Sequence, residues 1–228
     1  MNRMKGSFGL VAALMMSGCC SAGRAQPAGG EPVEPMEIEA KDAALVERVR
    51  ALLSGYEHVP SAEDWKKVGE PADVAAALMA IAAEPNAKTM TAARATSSLG
   101  FFPRPEVSAF LVSRMADEKL APTLRGKAAI AVGLAFGDER ADEIAALLSS
   151  PDAGLREDAV RAFRHLMSPA AERFLEGRVA QEPMAHIRQS MAAAKGQIAA
   201  ARKAAEDGGS LSDRVKNRPA LRDPGPVR

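Results

Sequence analysis

The sequence predicts an all-α protein, an α-solenoid of about four helix pairs behind an N-terminal helical cap. Alanine supplies much of the 47% hydrophobic content, and aromatic residues make up only 4% of the chain. Alanine favours helices and lets them approach closely. No segment alternates apolar and polar residues in the way that a half-buried strand does. An apolar helical pattern recurs about every 30 residues, a spacing typical of stacked repeats.

The second helix of each predicted pair carries the recurring pattern. From Leu124, apolar residues follow four, seven and eight positions later, which makes one helical stripe. Small or apolar residues take the same offsets after Thr91, Leu155 and Ile187, so successive starts lie 33, 31 and 32 residues apart. An amphipathic helix precedes each of these four. The predicted pairs span residues 72–100, 105–137, 139–167 and 169–206.

A shorter helical segment precedes the repeats and predicts the N-terminal cap. Ser61 stands three residues before Asp64, the spacing of a capping box at a helix start. We expect Trp65 to pack on the first repeat. The apolar stripe of the preceding helix is Leu45, Val49, Leu52 and Leu53.

The run SSPDAGLREDAVRAF, residues 149–163, resembles the HEAT-repeat consensus of the armadillo-like proteins. The shared features are an aspartate in the turn, an aliphatic residue followed by arginine, and an alanine four positions after the aliphatic residue. Residues 123–138 add the alanines and glycine of the same second helix, and the resemblance covers roughly residues 70–200. It implies a right-handed α-solenoid whose second helices line the concave surface. This fold serves many functions, so the resemblance does not indicate a particular function.

An arginine directly follows the first stripe residue in three of the second helices. These are Arg125, Arg156 and Arg188. They could form an anion-binding ladder. The resemblance to HEAT repeats favours a structural ladder instead, in which each arginine bonds turn groups or an aspartate such as Asp152 across adjacent repeats.

The side of each second helix opposite the stripe predicts a binding groove. Because each residue turns about 100° around a helix, the opposite positions lie two, five, six and nine residues after the start. Several are small and apolar, namely Ala93, Gly126, Ala129, Ile130 and Val160. We expect them to line a shallow groove for a helix or extended segment of another protein. Alternatively, the protein's own tether or tail covers the groove, or strong curvature closes it.

The N-terminus predicts export from the cytoplasm. Residues 1–18 have two basic residues and then an apolar run, residues 8–16, that is too short to span a bilayer as a helix. The segment Met16-Ser17-Gly18-Cys19 resembles the lipobox of bacterial lipoproteins. The resemblance implies cleavage before Cys19, lipidation of its thiol, and an outer-membrane lipoprotein facing the periplasm. The alternative is conventional cleavage before Gln26, which releases a soluble periplasmic protein.

The remaining segments divide the chain into a tether, a folded part and a tail. Residues 19–40 are rich in proline, glycine and glutamate and predict a flexible tether. Residues 41–208 hold the cap and the solenoid. Residues 209–228 are polar, basic and proline-rich and predict a disordered tail. A net charge of +1 gives no electrostatic case for a nucleic-acid partner.

No pattern in the sequence indicates a catalytic site, a metal or a cofactor. His58, His165 and His186 lie far apart, and both cysteines are adjacent near the N-terminus. The sequence therefore predicts a non-enzymatic scaffold or adaptor at the bacterial cell envelope that binds another protein in its groove. The alternative is an enzyme or an enzyme accessory, such as a lyase-like or chaperone-like helper of an envelope protein.

Overall fold

The computed structural model describes residues 42–55 and 59–206. Within these ranges the protein is all-α, without any strand, as the sequence predicts. The predicted signal peptide, tether and basic tail lie outside the described residues, and so do Cys19 and His58.

The described helices run in pairs after an N-terminal segment. The N-terminal helices are α1 (Ala43–Ser54) and α2 (Ala62–Val68). The pairs that follow are α3 (Pro71–Ala83) with α4 (Thr89–Ser98), α5 (Pro105–Ala116) with α6 (Pro122–Phe136), α7 (Ala141–Leu147) with α8 (Ala153–Phe163), and α9 (Pro169–Val179) with α10 (Ala185–Glu206). Short 3-10 turns follow α4 and α6, at Leu99–Phe101 and Gly137–Arg140.

Proline and capping side chains set where many of these helices begin. Proline is the first residue of α3, α5, α6 and α9, where its missing N–H costs no helical hydrogen bond. Both halves of the predicted capping box are present at α2, because Ser61 accepts from the Asp64 N–H and Asp64 accepts from the Ser61 N–H. Asp42, Asp152 and Ser168 cap α1, α8 and α9.

The second helices contact one another in chain order. Helix α6 packs against both α4 and α8, and α8 also packs against α10. Helix α1 packs on α3 and α4, where the sequence predicted a cap. One hydrophobic core extends from Leu45 in α1 to Ile198 in α10, and the single tryptophan, Trp65, is 1% exposed within it. Each pair thus buries its apolar face against its neighbours.

Candidate functional site

The residues predicted to line a groove are mostly part of the protein core. Ala129 and Val160 are fully buried, Ala93 and Gly126 are also buried, and Ile130 is half-buried. The prediction of an open, small-residue surface is therefore corrected for four of the five positions. Only Ile130 retains a partly accessible side chain.

Close helix spacing is the physical reason for this burial. A Cβ atom placed on Gly126 would lie 2.2 Å from Oδ2 of Asp158 in α8. A Cβ atom on Gly133 would lie 2.6 Å from the carbonyl oxygen of Ala162, also in α8. Real Cβ atoms do not approach other atoms so closely, so the small residues of α6 serve contact with the next helix. They leave no gap for a partner at these positions.

Phe101, Ile130 and Leu134 are partly exposed apolar residues on two segments that pack together, the 3-10 turn Leu99–Phe101 and α6, and we call them the apolar patch. Phe101 is 39% exposed and Leu134 is 37% exposed. Leu134 covers Gly100, since its Cδ2 atom lies 2.9 Å from the position of a Cβ there, and Phe101 directly follows Gly100. Ile130 stands one helical turn before Leu134. Helix periodicity could have found Leu134, because residues four apart share a face.

The three ladder arginines donate to main-chain oxygens at the end of the preceding helix or in the turn after it. The guanidinium of Arg125 lies 3.0 Å from the carbonyl oxygen of Met115. That of Arg156 lies 2.9 and 3.1 Å from the carbonyl oxygens of Ser150 and Pro151. That of Arg188 lies 2.7 and 2.9 Å from the carbonyl oxygens of Glu182 and Pro183. The carbonyl groups at a helix end and in the turn after it lack helical donors, and a guanidinium fork can satisfy two of them. These donors are directed at the chain itself rather than at a shared anion site.

Arg94 makes the same kind of contact in the first pair, which the sequence analysis did not single out. Its Nη1 atom donates to the carbonyl oxygen of Leu53 at 2.7 Å and to that of Gly55, at the end of α1. Arg94 stands three residues after Thr91, whereas the other ladder arginines stand one residue after the stripe begins. Because its offset differs, the spacing of the repeats does not reveal Arg94.

The aspartate that links neighbouring pairs is Asp138 rather than Asp152. Asp152 accepts from the Leu155 N–H at 2.7 Å and so caps its own helix. Asp138 lies in the turn after α6 and accepts from the N–H groups of Met167 and Ser168, both at 3.0 Å. It thereby joins the turn before α7, in the third pair, to the turn before α9, in the fourth.

A buried ion pair connects α8 to the turn between α9 and α10. Arg156 Nε and Nη2 donate to the two carboxylate oxygens of Glu182 at 2.7 and 2.9 Å. The Arg156 side chain is 7% exposed and that of Glu182 is fully buried. Hydrogen bonding to the guanidinium lowers the pKa of Glu182, and the same contact raises the pKa of Arg156. The Met184 N–H also donates to Glu182, at 3.0 Å.

The described part of the chain shows no arrangement typical of a metal centre. No three histidine, cysteine, aspartate or glutamate side chains within it are grouped so that they could hold a metal ion. Exposed His186 is the second residue of α10, whereas half-buried His165 follows α8. Among the helices described, none is both long and apolar enough to cross a membrane. Comparison of the chain with protein-family models and with curated protein sequences finds no match.

Proposed function

We propose that this protein is a non-enzymatic scaffold that binds another protein at the bacterial cell envelope. Its body would be a right-handed α-solenoid of four HEAT-like helix pairs with α1 and α2 as the cap. The chain-order contacts of α4, α6, α8 and α10 support this architecture. So do Arg125, Arg156 and Arg188, which stand 31 and 32 residues apart and each bond main-chain oxygens at the end of the preceding helix or in the turn after it.

The apolar patch of Phe101, Ile130 and Leu134 is the observation that carries the binding proposal. Two of its side chains keep more than a third of their surface exposed. They lie on adjacent units of the repeat array, where a helix or an extended segment could contact both. Burying such side chains in a complex is favourable at roughly 25 cal/mol per Å² of apolar surface. The partner is therefore a protein segment with apolar side chains.

Capture of a partner with and without the patch tests this proposal. The tagged full chain and its Leu134→Glu variant are used to isolate bound proteins from detergent-solubilised membranes, and these are identified by mass spectrometry. Val59→Glu is the control, since Val59 is 77% exposed and lies outside the patch. We expect the wild type and the control to retain a protein that Leu134→Glu loses, with unchanged circular dichroism. Equal capture by all three would rule out the patch as the binding surface.

The envelope location is proposed from the lipobox-like segment that ends at Cys19. Lipidation would hold the protein at the membrane through several acyl chains, because one chain alone binds only weakly. We expect Cys19→Ala to move the protein from the membrane fraction to the soluble fraction. If both forms are soluble, the protein carries no lipid anchor and conventional cleavage is the better explanation.

A further inference from the structure

The junction between α8 and α10 differs from the two junctions before it. Gly100 and Gly133 each stand nine residues after the stripe begins and meet the next second helix at close range. A Cβ on Gly100 would lie 3.3 Å from the Cα of Ala131. The equivalent position is Arg164, the residue directly after α8, whose Nε atom is buried and has no hydrogen-bond partner in the described residues. A long, charged side chain thus takes the place of a glycine in this pair.

The last pair is held to the rest by buried apolar side chains of the continuous core, such as Leu175 and Ile187, and by two arginine contacts. Arg156 of α8 binds Glu182 in the turn between α9 and α10. Arg178 of α9 donates to the carbonyl oxygen of Leu148 at 2.8 Å. An apolar contact accompanies them, in which the rings of Phe163 and Phe174 lie 6.1 Å apart.

Helices α9 and α10 are also tied to each other. Lys195 of α10 bonds Glu176 of α9 at 2.8 Å, and Arg202 bonds Glu172 at 2.6 Å. These contacts run within the pair, so they remain intact when the pair separates from α8. Helices α9 and α10 also pack directly against each other, so they can move as one piece.

The stability of the junction between α8 and the last pair depends on both partners of the buried ion pair. Removing two charges from water costs much of what their attraction returns, so the intact pair contributes modestly compared with apolar packing. Losing one partner leaves the other charge buried and unpaired, which is strongly unfavourable. Outside their own pair, α9 and α10 make their main contacts among the described helices with α7 and α8, and a unit held on one side can open without global unfolding.

We propose that α9 and α10 form a terminal unit that opens from α8 as one piece, with the Arg156–Glu182 pair as the latch. Opening uncovers Phe163 of α8, which is fully buried in the closed form. The latch is a conformational device of the fold and is independent of the proposed scaffold function, because it lies outside the Phe101–Ile130–Leu134 patch.

Native-state hydrogen exchange, read by mass spectrometry on the full chain, tests the latch. Glu182→Gln keeps the shape of the side chain but removes its charge. We expect amides in α9 and α10 to exchange at least about tenfold faster in this variant, while amides in α3 to α6 keep their rates. Glu176→Gln is the matched control, because Glu176 lies in the same unit but its ion pair with Lys195 is solvent-exposed, and exposed ion pairs contribute little to stability. The control should exchange like the wild type.

Three results would overturn the proposal. Unchanged exchange in α9 and α10 would mean that the ion pair does not hold the unit. Equal acceleration in every helix would mean that the pair stabilises the whole protein rather than one junction. Failure of Glu182→Gln to fold would also mean that the pair stabilises the whole protein. The fluorescence of Trp65, in α2, reports whether the protein is folded far from the latch.

Discussion

At the scale of single residues, Gly133 and Gly196 occupy equivalent places in their helices but have different surroundings. Each stands nine positions after its stripe begins. A Cβ on Gly133 would lie 2.6 Å from the Ala162 carbonyl oxygen, whereas a Cβ on Gly196 would have nothing within 4 Å. We expect Gly133→Ala to lower the free energy of unfolding by about 1–2 kcal/mol, because overpacking outweighs the gain in helix propensity. Urea unfolding followed by circular dichroism measures this change.

Gly196→Ala is the control for that prediction, since it makes the same chemical change in open space. It should raise the free energy of unfolding by up to about 1 kcal/mol through helix propensity alone. If both variants shift in the same direction and by the same amount, contact between α6 and α8 at Gly133 is looser than the structure indicates.

These glycines also show why the sequence could not predict which small residues are buried. Positions opposite the apolar stripe include Glu157 and Arg161 in α8, which are polar and partly or fully exposed. Gly126 in α6 takes the same offset as Glu157 but is buried, and Ile130 takes the offset of the exposed Arg161 but is half-buried. Periodicity describes one buried face per helix. Helix α6 has neighbours on two sides, α4 and α8, so its buried surface is wider than its stripe.

At the scale of helices and turns, Asp138 connects the end of α6 to the start of α9. Its carboxylate accepts from two main-chain N–H groups, of Met167 and Ser168. We expect Asp138→Ala to lower the free energy of unfolding by about 1 kcal/mol, because two donors lose a charged acceptor. Glu139→Ala is the control at the next exposed position and should stay within about 0.5 kcal/mol of the wild type. If urea unfolding gives the same change in free energy for both variants, the bonds of Asp138 to Met167 and Ser168 do not stabilise the protein.

Local signals in the sequence predicted the helices well but did not predict their connections. The capping box of Ser61 and Asp64 and the prolines at four helix starts are contained within a few residues of chain, so a single sequence reveals them. The partners of Asp138 lie 29 and 30 residues away. The bond between Arg156 and Glu182 spans 26 residues. Such pairs follow from how the helices stack, which residue spacing alone does not determine.

At the scale of the whole molecule, α6 is the helix through which the first and last pairs are joined. It contacts α4, α5 and α8, and its Ala128 is fully buried. We expect Ala128→Asp to cost more than about 3 kcal/mol, because an unpaired carboxylate enters a closely packed contact. Since one core reaches from α1 to α10, the loss of stability should also affect the surroundings of Trp65, 63 residues earlier in the chain. Its fluorescence should change at lower urea, together with the circular dichroism signal.

The matched control for this substitution is Ala193→Asp, which places the same carboxylate at an exposed position of α10. That variant should unfold at nearly the wild-type urea concentration. A Trp65 transition that stays in place in Ala128→Asp, while the circular dichroism transition moves, would show that α1 to α3 fold without α6. The continuous core would then consist of separable parts, and the single stacked array proposed here would be wrong.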